Sequence, residues 1–339
     1  MTSKEESKEP MAGMGRYDLI DHISEKFGVR RSETAFGTAT VAVDAALLVS
    51  QNVMLEGIDF SLVYFPLKHL GYKSVTRAVA GIYASGGTPA ALSVTVAMSA
   101  RFGVEQAEEI MEGIISGAGR YGAEVRYFDF VSSVTGMTIS CTAWGSRDGS
   151  VKFAAAPEVN DIICVTGDIG AAYLGLQVLE RERRIFESGA AVQPDLSDFR
   201  YVIGRQLRPD LKTDRLKELY KSGLTPSVMT VVREGLASEL LGLCRGREIG
   251  CRLYYDRIPV DSDTSRNAEE MNIDPVVAAL NGGEDYEFLF FAPLVQADIL
   301  TRQEGISMIG YLTDRSEGCN LVTPDDHLVE LSAQGWNKS

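Results

Sequence analysis

Apolar positions recur at helical spacing over residues 16–27, where Leu19, Ile20, Ile23 and Phe27 share one face. After a turn-rich segment, TVAVDAALLVS (40–50) reads as one or two short strands. The run that starts LVYFPLKHLGYKSV predicts a helix that stops at Gly86-Gly87 and Pro89, glycine past the end and proline soon after. LSVTVAM then alternates Leu92, Val94, Val96 and Met98 with smaller residues, the period of a strand. Residues 104–121 carry Val104, Ala107, Ile110, Met111, Ile114, Ile115, Ala118 and Tyr121, which predicts an amphipathic helix. MTISCTAW alternates again, Met137, Ile139, Cys141 and Ala143 against Thr138, Ser140 and Thr142.

Residues 145–161 are loosely patterned and form the expected domain boundary. Beyond them come a strand and loop (IICVTGDIG), a long helix over 171–187, a Pro/Asp linker and a helix near 213–222. In VVREGLASELLGLC (231–244) a buried strand feeds a helix. A strand CRLYYD, a helix near 264–271, the tight turn and strand of LNGGEDYEFLFF, and strands near 306–312 and 320–331 close the chain. The pattern implies an α/β (α+β) protein in two halves: a tail over 1–15, a first domain over 16–153 and a second over 154–339. No repeat of 20–50 residues is visible.

Composition narrows the function. Of 339 residues, 45% are hydrophobic and 24% charged, as in ordinary globular proteins. The net charge of −14 argues against nucleic acid or an anionic membrane as a partner. No apolar run is long enough to span a bilayer, and MTSKEESKEP does not resemble a signal peptide. The five cysteines (141, 164, 244, 251, 319) form no CxxC pair, and an odd count argues against a full disulfide framework. Cys141 and Cys164 lie in strand-like runs as buried thiols, and the protein reads as cytoplasmic. P-loop, HExxH and GxSxG motifs are absent. With only His22, His69 and His327 available, chemistry falls to carboxylates and backbone amides.

Asp44 and Asp129 each sit alone in an apolar run, as turn or cap residues or as ligands. Glu234 opens a helix, where it compensates the dipole or holds a ligand. NGGEDYEF is more pointed: Glu284, Asp285 and Glu287 before a buried strand need a cation, a cationic ligand or a helix N-terminus nearby, unless the turn is solvated. TGDIGAAYLG, a strand, a glycine turn and a helix, can hold an anion on backbone N–H groups.

The ordered blocks MLEGIDF, YFPLKHLGYKSV, GIYASGGTPAALSV, the Asp129 turn, VTGDIGAAYLGL, QLRP, GLASE and NGGEDYEF resemble thiamine-monophosphate kinase, of the aminoimidazole ribonucleotide synthetase-like superfamily, over residues 16–335. The resemblance implies a two-domain fold whose N-terminal domain dimerises through its sheet. It implies ATP and Mg2+ held by aspartates, and phosphorylation of thiamine monophosphate to thiamine diphosphate. Carried over residue by residue, it assigns metal ligation to Asp44, Asp129 and Glu234, and catalysis to Asp129 and Glu234. It assigns nucleotide contacts to Ser50, Asn52, Asp129 and Arg233, and substrate contacts to Asp59, Glu284 and Asp285.

The departures cluster where nucleotide and metal would bind. The family's Gly-Asp-Asp is Ala42-Val43-Asp44, its Thr-Thr-Asp is Ser50-Gln51-Asn52, and its Gly-x-His-Phe carries Asp59 in place of histidine. Its Ser-Asp pair is Ala80-Gly81, its Gly-Gly-Asp-Thr is Tyr127-Phe128-Asp129-Phe130, its junction arginine is Ala154, and its Asp-x-Ser-Asp-Gly is Val231-Val232-Arg233-Glu234-Gly235. Two functions follow as expectations: the family kinase with a reduced metal site, or a catalytically inactive paralogue acting as a dimeric ligand-binding or regulatory protein. In either, Arg233 supplies positive charge against phosphate or pairs with a neighbouring acid such as Glu284 or Asp129, filling a metal position.

Overall fold

A computed structural model describes residues 16–27, 39–42, 46–189 and 195–335. The expected N-terminal tail and Asp44 lie outside these residues. Two sheets organise the chain. The first contains β1 (Ala39–Ala42), β2 (Leu47–Leu55), β3 (Gly87–Met98), β4 (Glu124–Ser132) and β5 (Thr138–Arg147), in the order β1-β2-β5-β3-β4. Its pairs are antiparallel except β3 with β4, which run parallel, as the intervening helix α3 (Val104–Arg120) requires. The second sheet contains β6 (Ile162–Thr166), β7 (Val228–Val231), β8 (Ile249–Tyr254), β9 (Phe288–Ala292), β10 (Ile306–Asp314), β11 (Cys319–Val322) and β12 (Leu328–Glu330). Its order is β12-β11-β8-β10-β6-β9-β7. Strands β6 and β9 are buried at every position, which explains why their sequences are apolar runs and not alternations.

Helix α2 (Leu67–Ala84) joins the halves. Residues 70–84 are all buried, lysine and arginine included. One apolar cluster runs from Leu48, Val79 and Ile139 through to Cys164, Met229 and Phe290 of the second sheet. A helix covered on all sides cannot show a clean amphipathic stripe, and its sequence does not. It meets α3 at Gly71 and Gly113, where a Cβ would collide with the backbone of Ile110 or Lys68; only glycine lets the two helices lie this close.

Most expected elements form. Helix α1 (Arg16–Phe27) and helix α4 (Ala171–Glu187) occupy their expected spans, and His22 is exposed. Helices α6 (Thr213–Lys221), α7 (Leu236–Arg245) and α8 (Ser262–Glu270) follow the pattern closely. Four readings need correction. Pro89 does not stop α2; it lies inside β3 at a register shift, where the ladder tolerates a missing donor. Val104 and Ile115 are 74% and 59% exposed, off the buried face of α3. Asp129 sits within β4, not at a turn. The short helices α5 (Arg200–Leu207), α9 (Pro275–Asn281) and α10 (Ala297–Leu300) were not expected, because so few turns leave little periodic signal.

Candidate functional site at the junction of the halves

Two short segments build the site by docking backbone to backbone. The chain leaving β7 pairs with the turn entering β9: Val232 N–H donates to Glu287 O at 2.8 Å, Tyr286 N–H to Val232 O at 3.0 Å, and Glu284 N–H to Arg233 O at 2.8 Å. A Cβ at Gly283 (φ +75°) would collide with Arg233 O, so the glycine is needed for this approach. Glu284 and Tyr286 both hold left-handed backbone, with φ of +63° and +57°. Such conformations cost about 1–3 kcal/mol each and persist only where the surroundings fix them.

The strained turn aims Glu284 across the junction. Its carboxylate pairs with Lys73 Nζ at 2.8 Å, lies 3.8 Å from Arg77 Nη1, and accepts from Tyr286 Oη at 3.2 Å. Burial opposes its ionisation, but Lys73, Arg77 and Arg233 outweigh that and hold the carboxyl at about 2. Lys73 is fully buried, donates also to Gln206 O at 2.8 Å, and stands 5.4 Å from the Phe65 ring centre. Desolvation pulls its ammonium down and Glu284 opposes the fall. Arg77 reaches Asp59 at 2.7 Å, and Asp59 in turn accepts from Leu55 N–H at 2.8 Å. Asp59 and Glu284, both assigned to substrate, are thus joined through one guanidinium.

Arg233 completes the cluster. It pairs with its neighbour Glu234 at 2.7 Å and is only 7% exposed. The backbone N–H groups of both residues point at Glu239 Oε1, at 3.3 and 3.1 Å. Burial raises the Glu239 carboxyl to about 7, against the pull of Arg233. The Nε atoms of Arg77 and Arg233 are buried without a hydrogen-bond partner.

The other acids of the turn are used differently. Asp285 accepts from Gly170 N–H at 2.8 Å and Ala172 N–H at 3.1 Å, capping α4. The anion at the TGDIG helix terminus is therefore supplied by the chain itself. Glu287 accepts from Thr166 Oγ1 at 2.6 Å and pairs with Arg205 at 3.0 Å.

The remaining candidates do not join the cluster as one set. Ser50 and Asn52 lie on the buried face of β2, and Asn52 Oδ1 has no partner. Asp129 is opposite Thr95, which stands level with Ser140 and Val53, so the alternation of strands places it on the other face of the sheet. Pattern reading missed Lys73 and Arg77, although two cations four residues apart in an otherwise apolar helix are a legible signal.

The N-terminal sheet and its helices match the model of the AIR synthase related protein, N-terminal domain, over residues 37–146. The chain is 25% identical over 344 aligned positions to thiamine-monophosphate kinase of Bacillus subtilis, covering 96% of this chain and 99% of that one. It is 27% identical to the Methanopyrus kandleri thiamine-monophosphate kinase over 75% of each chain. In three dimensions it superposes on AaThiL complexed with AMPPCP and TMP with a TM-score of 0.80 at 22% identity, covering 96% of this chain and 97% of that one. Residues 37–146 thus carry an AIR synthase-related N-terminal domain, and the relatives that align over most of the chain are thiamine-monophosphate kinases.

A Mg2+-nucleotide group requires several hard oxygen donors around the metal. Among the described residues no three Asp or Glu carboxylates converge. Asp129 faces away from Ser50 and Asn52, Glu234 is engaged by Arg233, and Asn52 offers a neutral amide. The described residues do not fit that group.

Proposed function

We propose that this protein binds a small phosphorylated ligand of the thiamine monophosphate class at the junction cluster, and that it is a catalytically inactive relative of the kinases. The supporting observation is the closed set of Lys73, Arg77 and Arg233 with Asp59, Glu284 and Glu234, cations and carboxylates in equal number. Such a site suits a ligand bearing both signs, as thiazolium and phosphate do. The phosphate exchanges for Glu284 at Lys73 and Arg77, and the thiazolium takes the released carboxylate. Buried guanidinium and ammonium groups stand in for metal as the positive charge. The name of the solved relative, complexed with AMPPCP and TMP, motivates the choice of ligand.

The same proposal includes a cytoplasmic homodimer formed through the first sheet. Leu47, Val53 and Leu55 of β2 and Tyr127 and Val131 of β4 are 38–56% exposed on its outer face, on either side of Thr138, Ser140, Thr142, Ser93 and Thr95, a face that a second copy would cover.

Calorimetry separates the two functions. Thiamine monophosphate is expected to bind equally with and without Mg2+, and millimolar Mg-ATP to give no heat. Formation of thiamine diphosphate from Mg-ATP would instead establish the kinase, which the full-length similarity to kinases favours. Restoring acids by Asn52→Asp, Gly81→Asp and Val231→Asp, together with Arg233→Ser, is expected to create nucleotide binding in a protein that otherwise lacks it.

A further inference from the structure

Three of the five cysteines, far apart in sequence, meet in space. Cys244 lies in the last turn of α7, Cys251 lies in β8, and Cys319 opens β11 as the direct register partner of Cys251 in the parallel pair. Their sulfurs all lie within 4.8 Å of one another, and none is in a disulfide. Among the described residues this is the only convergence of three metal-ligating side chains of the His, Cys, Asp and Glu types.

Cys244 and Cys251 are each 1% exposed, while Cys319 is partly exposed. The walls are apolar, with Leu253, Leu321, Leu331 and Ile249 in the same cluster. The group therefore has two sheltered sulfurs and one at an entry path.

A zinc ion bound at about 2.3 Å by three sulfurs sets them about 3.8 Å apart. With all three sulfurs within 4.8 Å of one another, none needs to close by more than about an ångström. A disulfide would use two sulfurs and leave the third unexplained.

We propose that Cys244, Cys251 and Cys319 form a three-thiolate site for a soft closed-shell metal ion of the zinc class, which fastens α7 to the β8–β11 edge of the second sheet. The fourth position opens toward solvent beside Cys319. Zn2+ displaces the thiol protons to solvent, and the three-thiolate site carries a single negative charge. Helix α7 spans about 15 Å, so the ion stands a helix length from Arg233 and Glu234 and acts on stability and not on the ligand. A failed ligand experiment at the junction therefore leaves this site untouched.

The test uses the full chain, reduced and stripped with a chelator, then titrated with Zn2+ against a competing chromophoric chelator. One equivalent per chain is expected, with proton release at neutral pH and a raised melting temperature. Cys319→Ser is expected to weaken binding by more than the roughly 10–100-fold that losing a supporting hydrogen bond costs. Cys141→Ala and Cys164→Ala should bind as the parent does. Cd2+ added to the parent protein should give sulfur-to-metal charge-transfer absorption, a readout that needs no variant. Absence of stoichiometric binding, unchanged affinity in Cys319→Ser, or Cd2+ binding without that absorption would each overturn the site.

Discussion

Glu284 and Glu287 stand three residues apart in one acidic turn and meet opposite circumstances. Glu284 reaches out of its own half of the molecule to Lys73 and Arg77, stays partly exposed, and shares Arg77 with Asp59. Glu287 turns inward to Thr166 and Arg205 and is fully buried, with Asp285 alongside it capping α4. The turn thus has a structural side, where every acid has a fixed hydrogen-bonded partner, and an exchangeable side. The partly exposed Glu284 carboxylate can turn to water when another anion takes its place beside the buried cations. A buried pair cannot, because breaking it leaves a charge without water.

The sharpest test of that contrast is Glu287→Ala. It takes from the buried Arg205 its nearest carboxylate, leaving Asp285 at 4.0 Å, and is expected to destabilise the fold by about 3–5 kcal/mol, read by urea denaturation. An effect no larger than that of Glu284→Ala would erase the distinction between the two sides. Gly283→Ala comes next. It forces a Cβ against Arg233 O from a left-handed backbone, for a loss of about 1–3 kcal/mol and weaker ligand binding, since it separates the two docked segments.

Glu284→Gln should cost about 2 kcal/mol, less than Glu287→Ala, because Asp59 still serves Arg77 and the fully buried Lys73 keeps Gln206 O and the new amide oxygen as acceptors. It is expected to tighten binding of inorganic phosphate by freeing Lys73; weaker phosphate binding would contradict the exchange.

Acidity gives the mildest probe. Burial raises Glu239 to about 7 and Asp285 to about 6, so the folded chain binds more protons than the unfolded chain between about pH 4 and 7. Stability from these groups is present at low pH and lost as pH rises through their folded values. Glu284, held at about 2, works in the other direction, losing its contribution as pH falls below about 4.5. The melting temperature should therefore rise on acidification from about pH 8 to about 5 and then fall. Glu239→Gln should flatten part of the rise.

Much of the fold was legible because local rules and final environment agree. The alternation in MTISCTAW became the inward and outward faces of β5, and the periodicity over 171–187 became α4. The mistakes have physical origins. Pro89 looked like a helix stop because sequence shows its missing N–H but not the bulge that tolerates it. Helix α5 was invisible because eight residues give barely two turns. At the site, the NGG-acid pattern and the strand-to-helix start at Arg233 and Glu234 were readable, and the structure brings them together. Which acid faces which cation was not readable, because one residue of strand register or a left-handed φ reverses it.

The sequence alone determined the order of most elements, the apolar interiors of both halves and the excess of negative charge. These are properties of neighbours along the chain, where side-chain type and spacing suffice. Tertiary structure decided the pairing of Glu284 with Lys73 and Arg77, the capping of α4 by Asp285, the placement of Asp129 on the far face of its sheet, and the meeting of Cys244, Cys251 and Cys319. Each joins residues separated by many positions or selects between two faces. Only the packing of α2 between the halves and the register of the strands fixes those choices.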